Sequence, residues 1–177
     1  MNDKNLRAEF DRIALPHIDA AYNLARWLTR HDHDAEDIVQ EAFLRAYRHF
    51  HSFNGGTGRA WMLQIVRNTC LTWLSKKRVS ESGPATLDGL ESPGVNPASV
   101  LEHCEERQML MQAIEGLPVE FREVIVLREL EGLSYKEISR IAEVPLGTVM
   151  SRLARARERL HEMLDRKLKG EEQYGLP

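Results

Sequence analysis

The sequence predicts an all-α chain: two small helical domains joined by a flexible linker, the second containing a helix-turn-helix. Three observations predict it. Nearly every segment repeats apolar residues at helical spacing, and none alternates as a strand would. Val79 to Ser99, VSESGPATLDGLESPGVNPAS, is rich in Ser, Gly and Pro and holds no period. Beyond it, a capped short helix, a turn and a longer proline-led helix follow in order. The expected division is residues 1–80, a linker 81–100, residues 101–170 and a tail 171–177. The same Ser/Gly/Pro stretch also reads as a long surface loop within one domain, a less common arrangement.

Each element has its own signal. Leu6 to Ala14 forms a first helix. Pro16 starts a second that ends near Arg30 and turns Ile18, Ala21, Tyr22, Ala25 and Leu28 to one side. RHDHDAED then leads into a third helix over Asp34–Tyr47, with acidic residues in its first turn, where the helix dipole favours them. Its apolar face is Ala35, Ile38, Val39, Ala42, Phe43, Ala46 and Tyr47. SFNGGTG, Ser52 to Gly58, is a loop. A long helix follows from about Arg59 to Arg78, and another from Val100 to Glu115. GLPVEFREVIVLRELEG has Pro118 at a helix start and Gly132 just past its end. Ser134 and Glu137 make an S-x-x-E capping box, with Ile138 and Ile141 sharing one face of the helix behind it. Pro145 opens a last helix that runs to about Leu168.

Bulk properties narrow the function. With 42% hydrophobic and 29% charged residues, the chain can bury a core and remain soluble. Its net charge of -3 means that any nucleic-acid surface must be local. The two cysteines, Cys70 and Cys104, have no CxxC spacing, which fits a reducing cytoplasm, and Cys70 reads as a small core residue. The charged N-terminus has no apolar core of a signal peptide, and no run approaches the roughly 20 residues of a membrane span. HDHD (His31 to Asp34) and HFH (His49 to His51) have suggestive spacing, but no Cys/His set completes a zinc site. No catalytic motif is present, so neither an enzyme nor a cofactor or metal is expected.

Three surfaces stand out. On the last helix, Val149, Leu153, Ala156, Leu160, Met163 and Leu164 form an inner stripe. Beside it run Thr148, Ser151, Arg152, Arg155 and Arg159, residue types that bond base edges and phosphates. On the long helix, Gln64, Arg67, Asn68, Leu71, Ser75 and Arg78 share a side. With Arg59, Lys76 and Lys77 they make the stretch basic beside Trp61 and Trp73, a composition that suits single-stranded nucleic acid. Both tryptophans read more simply as core. On the third helix, Leu44 lies on the polar side among Asp37, Gln40, Glu41 and Arg48. A small apolar centre with a polar rim is the composition of a protein interface.

Two stretches, DAEDIVQEAFLRAYRHFHSF…RAWMLQIVRNTCLTWL and LPVEFREVIVLRELEGLSYKEISRIAEVPLGTVMSRLARARERL, resemble the extracytoplasmic-function (ECF) sigma factors of bacterial RNA polymerase. The match covers both halves. It implies that Asp37, Gln40, Glu41, Leu44 and Arg48 bind the clamp helices of the polymerase β′ subunit, and that the second domain meets the β flap. It implies that Phe53, Asn54, Arg67, Asn68, Leu71, Lys76 and Arg78 melt and read the −10 promoter element, with a flipped base held by the loop. It implies that Thr148, Met150, Ser151, Arg152, Arg155 and Arg159 read the −35 element, that the linker threads toward the active-site channel, and that an anti-sigma factor controls the protein. Three positions depart from the pattern. Met150 stands where many relatives have arginine, Ala154 where some have a bulky residue, and Glu143 where a small residue is common in the helix-turn-helix turn. Glu143 either blunts that turn or sits on its exposed rim. The rivals are a dimeric helix-turn-helix regulator, which leaves Leu44 unused, and a decoy of the same fold, which needs a switching domain not evident here.

Overall fold

The structure, a computed structural model, describes residues 3–81 and 101–172, and within them the side chains of residues 5–79 and 106–166. The linker and tail expectations lie outside the described residues, as do the side chains of His103 and Cys104. The elements are α1 (Asp3–Ala14), α2 (Ile18–Thr29), α3 (Asp32–Arg48), α4 (Gly58–Glu81), α5 (Leu101–Glu115), α6 (Val119–Ile125), α7 (Tyr135–Ala142) and α8 (Leu146–Glu172). Short 3-10 turns precede α2 and follow α3. There is no strand among the described residues.

The all-α prediction holds, with small shifts at the ends. Pro16 starts a 3-10 turn, Leu15–His17, and α2 begins after it. The helix after Pro118 is not uniform. It widens into a π turn over Val126–Leu130, where the Glu131 N–H reaches the Val126 carbonyl at 3.0 Å. Gly132 then takes a left-handed backbone, φ +66°, which glycine adopts without a Cβ penalty.

In the first half, α2, α3 and α4 pack on one another through Leu24, Leu28, Ile38, Leu63 and Val66. A second apolar cluster joins α1 to α3 and α4, with Phe10 edge-on to Phe43, Tyr47 and Phe50. Gly58 lets α4 approach α1. A Cβ there would lie 2.7 Å from Ile13 Cγ2 and 2.8 Å from the Ile13 carbonyl oxygen. Backbone cannot yield as a side chain does, so Gly58→Ala is expected to destabilise by about 1–3 kcal/mol, the cost of overpacking; urea unfolding checks it. In the second half, α6, α7 and α8 pack through Val124, Leu127, Ile138, Ile141, Val149 and Leu153.

The two halves do not stand apart. The apolar cluster runs without a break from Leu24 and Leu63 to Phe121 and Ile141, with α2 against α6 and α4 against α7. Sequence periodicity had left this arrangement open.

Candidate polymerase and promoter interfaces

Leu44 is 52% exposed on α3, while Ala35, Ile38, Val39, Ala42 and Ala46 of the same helix are buried. The helix is thus committed to the core on one face and presents a leucine on the other. Gln40 and Leu44 line an open groove with Arg7, Phe10 and Asp11 of α1 and with Phe43 and Tyr47. The rim is organised. Arg45 Nε donates to Glu41 Oε1 at 2.7 Å, and this bond holds the Glu41 carboxyl below its usual range. His33 lies 3.8 Å from the Asp37 carboxylate one turn away. Arg48 is exposed. The α1 side of this groove was not legible in the sequence, because α1 and α3 are distant along the chain.

The residues expected at the −10 element divide into two environments. Phe53 is half-buried. Its ring stacks on Phe50 at 6.0 Å and meets Trp61 at 5.0 Å, so it anchors the loop. Asn54 is exposed beside it, ahead of Gly55 and Gly56, both at positive φ. On α4, Lys76 and Arg78 are exposed and Leu71 is partly covered. Trp61 and Trp73 are packed against the core clusters, as expected, and Trp73 carries Lys77 Nζ over its ring at 4.7 Å. Cys70 is fully buried, and burial pushes its thiol up to about 12. Native protein should therefore leave Cys70 unmodified by iodoacetamide at pH 8 and expose it only on unfolding, as peptide mass spectrometry will show.

Arg67, half-buried, and Asn68, exposed, both bond to the other half of the molecule. Arg67 Nε donates to Glu123 Oε1 at 2.6 Å, with side chains 12% and 4% exposed. Burial pushes the Glu123 carboxyl above its usual range, and Arg67 opposes that shift. Asn68 Nδ2 donates to Glu143 Oε1 at 3.2 Å, and Gln64 Nε2 donates to the same oxygen at 2.9 Å. These bonds hold the Glu143 carboxyl below its usual range, Gln64 first. Arg59 pairs with buried Glu131 at 2.5 Å. Glu123, Glu131 and Glu143 were not singled out as a group from sequence, since nothing in their spacing marks them.

The helix-turn-helix is built as expected. The Ser134 hydroxyl accepts from the Glu137 N–H, and the Glu137 carboxylate accepts from the Ser134 N–H at 2.8 Å. The turn after α7 is not blunted. Glu143 adopts φ +55°, ψ +41°, its N–H bonds the Ser139 carbonyl, and the Val144 N–H joins it at 3.2 Å. Glu143 sits on the exposed rim. On α8, Val149, Leu153 and Ala156 are buried. Ser151, Arg155 and Arg159 are exposed, Thr148 and Arg152 half-buried, and Met150 is 51% exposed on the outer side. Arg159 also lies over the Phe121 ring at 4.8 Å.

The chain has relatives of known family. Residues 14–79 match the family described as Sigma-70 region 2, and residues 107–160 match Sigma-70 region 4. The chain is 35% identical over 164 residues to the ECF RNA polymerase sigma factor SigE of Mycolicibacterium smegmatis, covering 92% of this chain and 64% of that protein's length. It is 40% identical over 135 residues to the ECF RNA polymerase sigma-E factor of Escherichia coli, 71% of each chain. Among solved structures, the sigma factor RpoE in complex with the anti-sigma factor NepR from Bartonella quintana superimposes with a TM-score of 0.74 at 28% identity. That match covers 89% of this chain and 97% of RpoE. CnrH, solved with the cytosolic domain of CnrY, shares the fold with a TM-score of 0.63, covering 90% of this chain and 89% of CnrH at 24% identity. The chain belongs to the ECF sigma factors of the sigma-70 family.

Proposed function

We propose that this chain directs core RNA polymerase to a set of promoters, initiates transcription there as an alternative sigma factor, and carries no catalytic activity of its own. Residues 1–80 act as the unit that docks on polymerase and reads the −10 element, 101–170 as the unit that reads the −35 element, and 81–100 as the linker between them. Asp37, Gln40, Glu41, Leu44 and Arg48 dock on the β′ clamp helices. Asn54, Arg67, Asn68, Leu71, Lys76 and Arg78 meet the melted strand, with Phe53 positioning the loop. Thr148, Met150, Ser151, Arg152, Arg155 and Arg159 enter the major groove. The protein works in the cytoplasm, and no helix among the described residues is long and apolar enough to cross a membrane. An anti-sigma factor is its expected regulator, by analogy with the RpoE–NepR complex.

The observation that carries this reading is Leu44, half-exposed on a helix whose other face is fully used by the core. A duplex-binding regulator has no need of it. Two modest DNA readers gain affinity when a large partner holds both in place, so a net charge of -3 is no obstacle. The test is transcription of sheared genomic DNA by purified core polymerase with and without the chain. Discrete new start sites support the reading. Duplex binding by the chain alone with no engagement of core polymerase would replace it with the dimeric regulator.

A further inference from the structure

The outer side of α8 changes character along its length. Leu146 to Ser151 carry no charged residue, whereas Arg152, Arg155, Arg157, Glu158 and Arg159 follow directly. In the uncharged part Met150 is exposed, and so is Leu146 one turn before it. Val149 between them is fully buried. The start of the helix thus fills the core with its inner face and still holds two large apolar side chains outside.

Small residues flank Met150. Gly147 lies one turn before it and Ala154 one turn after, and both are exposed. A Cβ on Gly147 would meet nothing within 4 Å, and its backbone is not left-handed, so the fold itself does not call for glycine there. Glycine weakens a helix relative to alanine. What it leaves here is room for another surface to reach the backbone beside Met150.

The polar groups nearby are committed. Ser151 Oγ donates to the Thr148 carbonyl at 3.0 Å, so it faces outward as an acceptor. Arg157 pairs with Glu129 at 2.6 Å, and Arg159 lies over the Phe121 ring at 4.8 Å. Arg152 is half-buried and helps to hold the buried Glu123 carboxylate. In the major groove guanine shows two acceptors, N7 and O6, which call for a donor such as arginine. No guanidinium or ammonium stands between Leu146 and Ser151 to meet them. Thymine shows a methyl group, which calls for an apolar contact. A thioether side chain is apolar and adapts its shape to such a contact.

Residues at the start of a recognition helix contact base edges. We propose that Met150 reads the C5-methyl of a thymine in the −35 element, with Gly147 and Ala154 clearing the approach and Leu146 extending the apolar surface. The −35 element of this chain therefore carries a T·A pair, not G·C, where the start of α8 lies. This inference rests on the assignment of α8 to the −35 element.

The test uses the full-length chain with core polymerase and a promoter recovered from the genomic-DNA transcription above. Each thymine of its −35 region, on either strand, is replaced singly by deoxyuridine, which pairs alike and lacks only the methyl. Binding is read by competition against the unmodified promoter. One replacement should weaken binding about fourfold, the contribution of one buried methyl. With Met150→Ala the same replacement should cost nothing, while Met150→Leu, still apolar and long, keeps most of the penalty. Met150 is exposed, so both variants should melt as the native chain does. No deoxyuridine penalty in the native chain, or an equal penalty with Met150→Ala, overturns the proposal even where transcription is promoter-dependent. If core polymerase yields no promoter, the sigma reading fails by itself. The same deoxyuridine series on a duplex selected by the chain alone from a random pool then decides the methyl contact, with the same two outcomes.

Discussion

Leu44→Ala combined with Gln40→Ala is expected to abolish promoter-dependent transcription while leaving the folded chain intact. Leu44 is 52% exposed and Gln40 is exposed one turn earlier, so neither side chain supports the core. Surface changes of this kind usually alter stability by about 0.5 kcal/mol or less. The interface loses its apolar centre and the hydrogen-bonding group beside it. Loss of a well-packed centre typically costs roughly 2–4 kcal/mol of binding, or about 30- to 1,000-fold. Co-elution with core polymerase should fall by that order, with an unchanged melting temperature. Arg140→Ala, exposed on α7 away from this groove, is the matched control. Full retention of core binding by the double variant would move the docking surface elsewhere on the molecule.

The largest expected effect on stability comes from Arg67→Ala. It leaves the Glu123 carboxylate, 4% exposed, without its partner. Breaking a buried pair from one side costs about 3 kcal/mol or more, because an uncompensated charge remains. Two escapes limit the loss. Glu123 can take up a proton, or the seam can open and hydrate it. The first gives a pH signature with a definite sign. Burial already raises the Glu123 carboxyl above its usual range, and removing Arg67 raises it further. A raised folded-state value means that the protonated group's stability is present below the ordinary carboxylate range and is lost as pH rises through the raised value. The gap between native and Arg67→Ala should therefore widen from pH 5 to pH 8. Thermal melts across that range measure it. Arg67→Met with Glu123→Leu should recover most of the loss, since an apolar pair of similar volume often replaces a buried ion pair at little cost. A pH-independent gap would mean that the carboxylate is hydrated by opening.

Local interactions made much of the chain legible. Helix periodicity placed α1 to α4, and Ser134 with Glu137 marked the start of α7 because a capping box is complete within four residues. Leu44 was readable for the same reason: a 3.6-residue period assigns every position of α3 to a face. The inner stripe of α8 was readable likewise, and Val149, Leu153 and Ala156 are buried. The π turn at Val126–Leu130 was not, since no residue there breaks the helical pattern. Nor was the role of Phe53, whose ring is fixed by Phe50 and by Trp61, which follows it across a glycine loop.

The sequence by itself determined the helices, the turn chemistry, the family and which side chains of α3 and α8 turn inward, because each is written in residues a few positions apart. Only the tertiary structure decided which residues of the two halves meet. Arg67 and Glu123 are 56 residues apart, and Asn68 and Glu143 are 75 apart. Pairing at such distances follows from how α4 settles against α6 and α7, and no local pattern encodes it. The same Asn68 that reads from sequence as a free contact for a melted strand is, in the folded chain, held between Arg67 and Glu143. Local chemistry names what a side chain can bind; packing decides what reaches it first.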